Sequence, residues 1–130
     1  MKTYHIPDGY AIFIRNTSAH FVDKIFDGTK ILETRTAPVH ESCRGKWIPV
    51  VKTETHEIVG EVYFLKRKPV VFDSYESFDK LRSAHLVPKE SRYDWNRTKY
   101  GYYILATKKY DTPIPVRKDA KKYGRIAVEI

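Results

Sequence analysis

The chain has 130 residues, a length expected to form one domain around one modest core with no room for a second. Apolar residues make up 42% and charged residues 31%, which excludes a disordered chain, and no apolar run approaches the roughly 18–20 residues that cross a bilayer. Lys and Arg number 24 against 16 Asp and Glu, a formal net charge of +8 that favours polyanionic partners such as nucleic acid.

The single cysteine, Cys43, has no internal partner for a disulfide, and no signal-peptide core is expected at the N-terminus. A cytoplasmic setting is therefore expected. Tyr10–Arg15 is rich in β-formers and reads as a strand. Asn16-Thr17-Ser18 then offers N-cap chemistry for a helix over about Ala19–Asp27, whose Phe21, Val22, Ile25 and Phe26 form one apolar stripe. Gly28 is the expected left-handed residue after it. Ile31–Thr36 reads as the next strand, and Ala37–Cys43 as a loop opened by Pro38.

Trp47–Thr53 and Ile58–Leu65 read as a hairpin joined by the polar Glu54-Thr55-His56-Glu57 turn, with Trp47 expected in the core. The run Lys66-Arg67-Lys68-Pro69 ends the second strand. Asp73-Ser74-Tyr75-Glu76 has capping-box form, with Asp73 as cap, and opens a helix with Tyr75, Phe78, Leu81 and Leu86 along one side. Ser91–Lys99 reads as a polar loop, Tyr102–Tyr110 as a strand and Pro113-Ile114-Pro115 as an extended piece. Asp119–Tyr123 reads as a basic turn, and Ile126–Ile130 as the last strand. Five or six short strands with two helices predict a mainly β, α+β chain: a small curled sheet or barrel with helices at its ends.

Between the first helix and the second strand lies Gly28-Thr29-Lys30-Ile31-Leu32-Glu33-Thr34-Arg35. Glu33 and Arg35 are two apart and share one face of an extended strand, while Lys30 stands at the corner leading into it. Such a cluster either binds a polar ligand and moves protons or is an ordinary surface ion pair. This segment resembles the G-x-K-x-x-E-x-R signature of ASCH domains, small barrels of the PUA-like superfamily. Further similarities follow in order: Arg44-Gly45-Lys46-Trp47-Ile48, Ile58-Val59-Gly60-Glu61-Val62, Tyr102-Tyr103-Ile104-Leu105, Pro113-Ile114-Pro115 and the Gly124 turn.

The resemblance implies a PUA-like mixed β-barrel of five to six strands over residues 1–130. It also implies a cleft between barrel and helices where Lys30, Glu33 and Arg35 gather to bind RNA or a nucleoside- or nucleotide-like ligand. Some ASCH proteins are enzymes, one type hydrolysing the acetyl amide of N-acetylated cytidine and another cleaving RNA. A small hydrolase on the same cleft, with Lys30 and Glu33 catalytic, is thus the alternative. The chain departs from the amidohydrolase type in carrying Glu33 where that type has threonine. It also has Val50-Val51-Lys52 where many members have His-Ala-Ser.

Lys30 reads as a phosphate contact or a desolvated base, against the plain alternative of a solvated lysine at a helix end. Glu33 reads as a hydrogen-bond acceptor or general base, and Arg35 as a planar fork for phosphate or carbonyl oxygens; pairing of the two is compatible with both roles. Trp95, flanked by arginines in a polar loop, Tyr100 and Tyr102 are the expected stacking residues. Lys66-Arg67-Lys68, Arg92 with Arg97 and Lys99, and Arg117-Lys118 with Lys121-Lys122-Arg125 are candidate backbone-tracking groups. The five histidines are scattered, so no metal and no cofactor are expected, and His20 and His85 are expected at the surface. Cys43 reads as a passive loop thiol.

Overall fold

Apolar runs of strand length recur along the chain, and in the computed structural model, which describes residues 3–5, 11–116 and 127–129, they build one curled mixed sheet. Its strands are β2 (Ile12–Ile14), β3 (Leu32–Arg35), β4 (Trp47–Lys52), β5 (Glu57–Phe64), β6 (Val70–Phe72) and β7 (Lys99–Pro115). A separate two-stranded ribbon pairs β1 (Thr3–His5) with β8 (Ala127–Glu129). The sheet order is β2-β4-β5-β7-β3, with β6 also on β7. β2 and β4 run parallel, and all other pairs are antiparallel.

The expected hairpin is present as β4 and β5, with Trp47 opposite Tyr63 and Lys52 opposite Glu57. The expected strand 102–110 and the extended 113–115 are one strand of 17 residues. β5 and β6 lie end to end along the same side of this strand, β5 on Ile104–Pro115 and β6 on Lys99–Gly101, while β3 covers Tyr100–Tyr103 from the other side. Short β6 was not expected; three residues after a Lys-Arg-Lys-Pro run are too few to show a period. The register slips at Ile58/Gly60 and Tyr63/Phe64 curl the sheet. The curl stops short of closure, because β2 and β3 remain unpaired to each other at the two ends of the order.

The main core fills the concave side with Ile14, Leu32, Ile48, Val50, Val62, Phe64 and Phe72, capped by Val22 and Ile25 of helix α1 (Phe21–Phe26) and by Phe78. A second cluster of Ala11, Phe13, Val51, Ile58 and Val116 covers the other face of β2 and β4. β2 is thus buried on both faces, which is why it reads as an unbroken apolar run.

The helix caps differ from expectation in detail. The N-cap position of α1 is His20, itself left-handed at φ 54°, but Asn16 reaches over the intervening turn and accepts from the Asp23 N–H at 3.0 Å. Gly28, at φ +86°, is the left-handed terminator. The second helix is capped by Ser74, which accepts from Ser77 N–H at 3.1 Å, so Asp73 is not the cap. That helix is two pieces, α2 (Tyr75–Lys80) and α3 (Arg82–His85). The carbonyl of Phe78 accepts from His85 Nε2 at 2.8 Å as well as from Leu81 N–H, so it does not continue the helical ladder. Leu86 follows in the left-handed region, outside the apolar stripe. The basic turn Asp119–Tyr123, the Gly124 turn and the basic group from Arg117 to Arg125 lie outside the described residues. No helix among the described residues is long and apolar enough to cross a membrane.

Candidate functional site

The open seam between β2 and β3 holds a cavity of about 230 Å³. Its walls are Phe13, Ile14 and Arg15 from β2 and just after it, Glu33 to Ala37 from β3 and the following turn, Phe21 from α1, and Thr53, Val87, Tyr93 and Lys99. Arg35 spans the seam. Its Nη1 donates to the Phe13 carbonyl at 2.8 Å and to Glu33 Oε2 at 3.2 Å. A side-chain bond stands where a closed barrel would have a backbone ladder.

Lys30 reaches this seam from the other direction. Its backbone is pinned by Lys30 N–H to the Lys24 carbonyl of α1 and, one residue on, by Ile31 N–H to the Ala84 carbonyl of α3, both at 3.0 Å. The side chain then runs inward, and Nζ donates to the carbonyl of His85, one of the α3 end carbonyls without a helical partner. Nζ also lies 4.7 Å from the Phe21 ring centroid and 3.9 Å from Glu33 Oε1. Lys30 is only 2% exposed, which overturns the plain reading of a solvated helix-end lysine. Burial lowers its pKa to about 8, partly opposed by the Glu33 charge. Glu33, 5% exposed, therefore sits between two cations, with one oxygen towards each.

Three of the expected site residues, Lys30, Glu33 and Arg35, meet at this cavity. Trp95 and Tyr102 do not line it. Tyr102 is buried against Phe64, and its hydroxyl accepts from the Val39 N–H at 2.8 Å, which anchors the loop after β3. Trp95 packs on the core and donates from Nε1 to the Phe72 carbonyl at 3.1 Å. Tyr100 also packs on the core. The aromatics at the cavity wall are Phe13, Phe21 and Tyr93, the last edge-on to Phe21 with centroids 5.2 Å apart. Arg82 holds that wall: its guanidinium binds Asp79 at 2.8 Å, Asp94 at 3.0 Å and the Val87 carbonyl at 2.9 Å.

Lys99, expected on a polar loop, is buried at the start of β7, donates to the Tyr93 carbonyl and lines the cavity. Burial pushes its pKa down, while Asp94 pulls it back up. The wall therefore carries Arg15, Lys30, Arg35 and Lys99 against Glu33 alone, an anion-attracting balance. Arg15 and Tyr93 gave no motif and Lys99 read only as a backbone-tracking cation; the fold alone brings all three to Lys30.

His85 is fully buried rather than at the surface. It stacks on Phe78 with centroids 4.0 Å apart, and its Nδ1 accepts from the Val87 N–H. Burial lowers its pKa to about 4, so it is neutral near pH 7 and serves to shape the α3 end that receives Lys30. Trp47, expected in the core, is 39% exposed. Cys43 is buried in a short 3₁₀ turn, Glu41–Cys43. Among the described residues no three His, Cys, Asp or Glu side chains gather as metal ligands, so this wall offers charge and hydrogen bonds.

No protein-family model and no curated protein matches the chain. Among solved structures, it is similar to the crystal structure of a mutant of the ZmASCH protein from Zymomonas mobilis. The TM-score is 0.58 at 16% identity, and the match covers 96% of this chain and 92% of that one. The fold is that of an ASCH protein, as the resemblance implied.

Proposed function

We propose that the chain is a single ASCH-type domain that binds RNA, or a nucleotide-like part of it, in the seam cavity. The observation that carries this reading is the buried Lys30 ammonium beside Glu33, with the Arg35 fork across the gap. Two paired cations hold one carboxylate with a fixed direction, and further hydrogen-bonding capacity on Arg35 and Glu33 is left for a ligand. Around 230 Å³ is small beside the ~300–1,000 Å³ of drug-sized sites, so one heterocycle with its attached polar groups suits it better than a folded strand. Phe21 and Tyr93 would offer apolar surface to that heterocycle, while Glu33 would accept from an exocyclic amino group.

Titration calorimetry with a pyrimidine mononucleotide and with a short single-stranded RNA tests this reading. Lys30→Met and Arg35→Gln are expected to weaken binding at least about tenfold, the scale of one charge-assisted contact, while the far-UV spectrum stays native. Wild-type affinity in both variants, or no RNA binding by the wild type at low micromolar protein, would sink it.

The lowered pKa of Lys30 favours a second reading, a small hydrolase on the same cleft. A lysine near pH 8 is a usable base at neutral pH, and it would activate water while Glu33 shuttles the proton on an acylated cytidine-like nucleoside. Release of acetate from N-acetylated cytidine that disappears in Lys30→Met is the result expected of that reading. Cleavage of RNA is the other substrate to assay.

A further inference from the structure

Leu65–Pro69 is the excursion between β5 and β6, two strands that lie end to end on β7, so the chain must loop out and back. Lys66, Arg67 and Lys68 are all exposed on it. The opposite bank is the segment before β4, where Gly45 is left-handed at φ +73°. A Cβ there would stand 2.8 Å from Lys66 Cβ, so glycine is what lets the two banks touch. Gly45 N–H donates to the Phe64 carbonyl, and Arg44 Nη1 donates to the Arg67 carbonyl at 2.7 Å, locking the loop to its neighbour. The result is an open depression of about 680 Å³ bearing Arg44, Lys46, Lys66, Arg67 and Lys68 against Glu41 alone. It shares no lining residue with the seam cavity.

Trp47 leaves this depression onto the outer sheet face. It faces Tyr63 across β4 and β5, with ring centroids 5.7 Å apart and nearly perpendicular. The Tyr63 hydroxyl donates to the Gly45 carbonyl at 2.8 Å, which ties the aromatic pair to the basic banks. Lys108 Nζ lies 5.2 Å from the Trp47 ring. A large indole left 39% exposed beside the Lys108 ammonium, itself 3.8 Å from Glu61 Oε2, is poor economy for folding alone. It is the combination that holds single-stranded nucleic acid: a positive groove for phosphates and a ring on which a base stacks.

We propose that the Arg44–Trp47 segment, Tyr63 and the Lys66–Lys68 loop form a second surface that tracks single-stranded RNA outside the seam cavity. The loop after β3 links the two regions, since Thr36 and Ala37 line the cavity and Glu41 and Ser42 line the depression. This surface deepens the RNA reading above but stands on different residues, so the two fail separately.

The test uses the whole chain with an oligouridylate of about twelve nucleotides and with cytidine monophosphate as probes. Replacing Lys66, Arg67 and Lys68 together by serine should lower oligouridylate affinity and make the slope of log affinity against log salt shallower by about two, at ~0.7 per lost phosphate contact. Trp47→Ala should weaken the oligomer on the order of tenfold with little change in salt slope. Both variants should bind cytidine monophosphate as the wild type does, and thermal melting checks that both are folded. Loss of monophosphate binding in Lys30→Met concerns the cavity only. Wild-type oligomer affinity in the triple serine variant overturns the second surface, whatever the cavity binds. So does equally tight binding of polyglutamate or of anionic phosphatidylserine vesicles by the wild type, because charge alone would then explain the patch.

Discussion

Lys30 sits beneath Phe21 at 2% exposure, and taking its ammonium out of water is what lowers its pKa from 10.5 to about 8. The unfolded chain keeps the higher value, so between about pH 8 and 10.5 it holds more protons than the folded one, and stability rises with pH through that window. Below pH 8 the cost of the buried charge is fully present. The stability of the wild type relative to Lys30→Met should therefore improve by about 2 kcal/mol between about pH 7 and pH 10, read from urea unfolding. A difference that does not move with pH would contradict the buried-ammonium account. Glu33 and Arg35 were legible as a pair because their spacing in a strand fixes a common face. The sequence left Lys30 between a desolvated and a solvated role, because its burial is decided by α3, whose His85 receives it from 55 positions along the chain. For the same reason the sequence puts Lys99 on a polar loop, His85 at the surface and Trp47 in the core, where the structure has Lys99 and His85 buried and Trp47 exposed. A residue's own type does not tell which neighbours will cover it.

Elements with a local signature formed where expected: α1 with its Gly28 terminator, and the β4–β5 hairpin. Those shaped by partners did not. β6 exists because β7 offers it an edge, and the 17-residue length of β7 comes from pairing with three strands in turn. The α2–α3 break follows from His85 taking the Phe78 carbonyl. Gly60 shows how closely these elements approach, and why an Ile-Val-Gly-Glu-Val strand carries a glycine. A Cβ there would lie 2.4 Å from the Lys108 carbonyl oxygen and 2.7 Å from the Phe26 ring. Backbone on one side and a packed ring on the other leave little to yield. Gly60→Ala is expected to destabilise the fold by about 2 kcal/mol or more, measured by denaturant unfolding. Gly28→Ala has open space around it but a strained φ, so its cost should be smaller, about 1 kcal/mol.

For the molecule as a whole, an excess of eight positive charges sets an approach field for polyanions before any contact forms. The RNA association proposed above should accordingly slow steeply as salt is added, whereas dissociation should change little; stopped-flow traces at several ionic strengths measure both. A salt-independent association rate would remove charge steering from the account. Composition and pattern already determined a small, mainly β chain with a basic bias, because strand periodicity, helix stripes and net charge are properties of short windows or of simple sums. They also singled out Lys30, Glu33 and Arg35. Only the tertiary structure decided that the sheet stops short of closure and that Arg35 bridges the gap to Phe13. It alone placed Lys30 in that seam and left Trp47 beside a basic loop on another face. Those facts arise from contacts between residues tens of positions apart, and each is set by how the sheet curls rather than by any segment read alone.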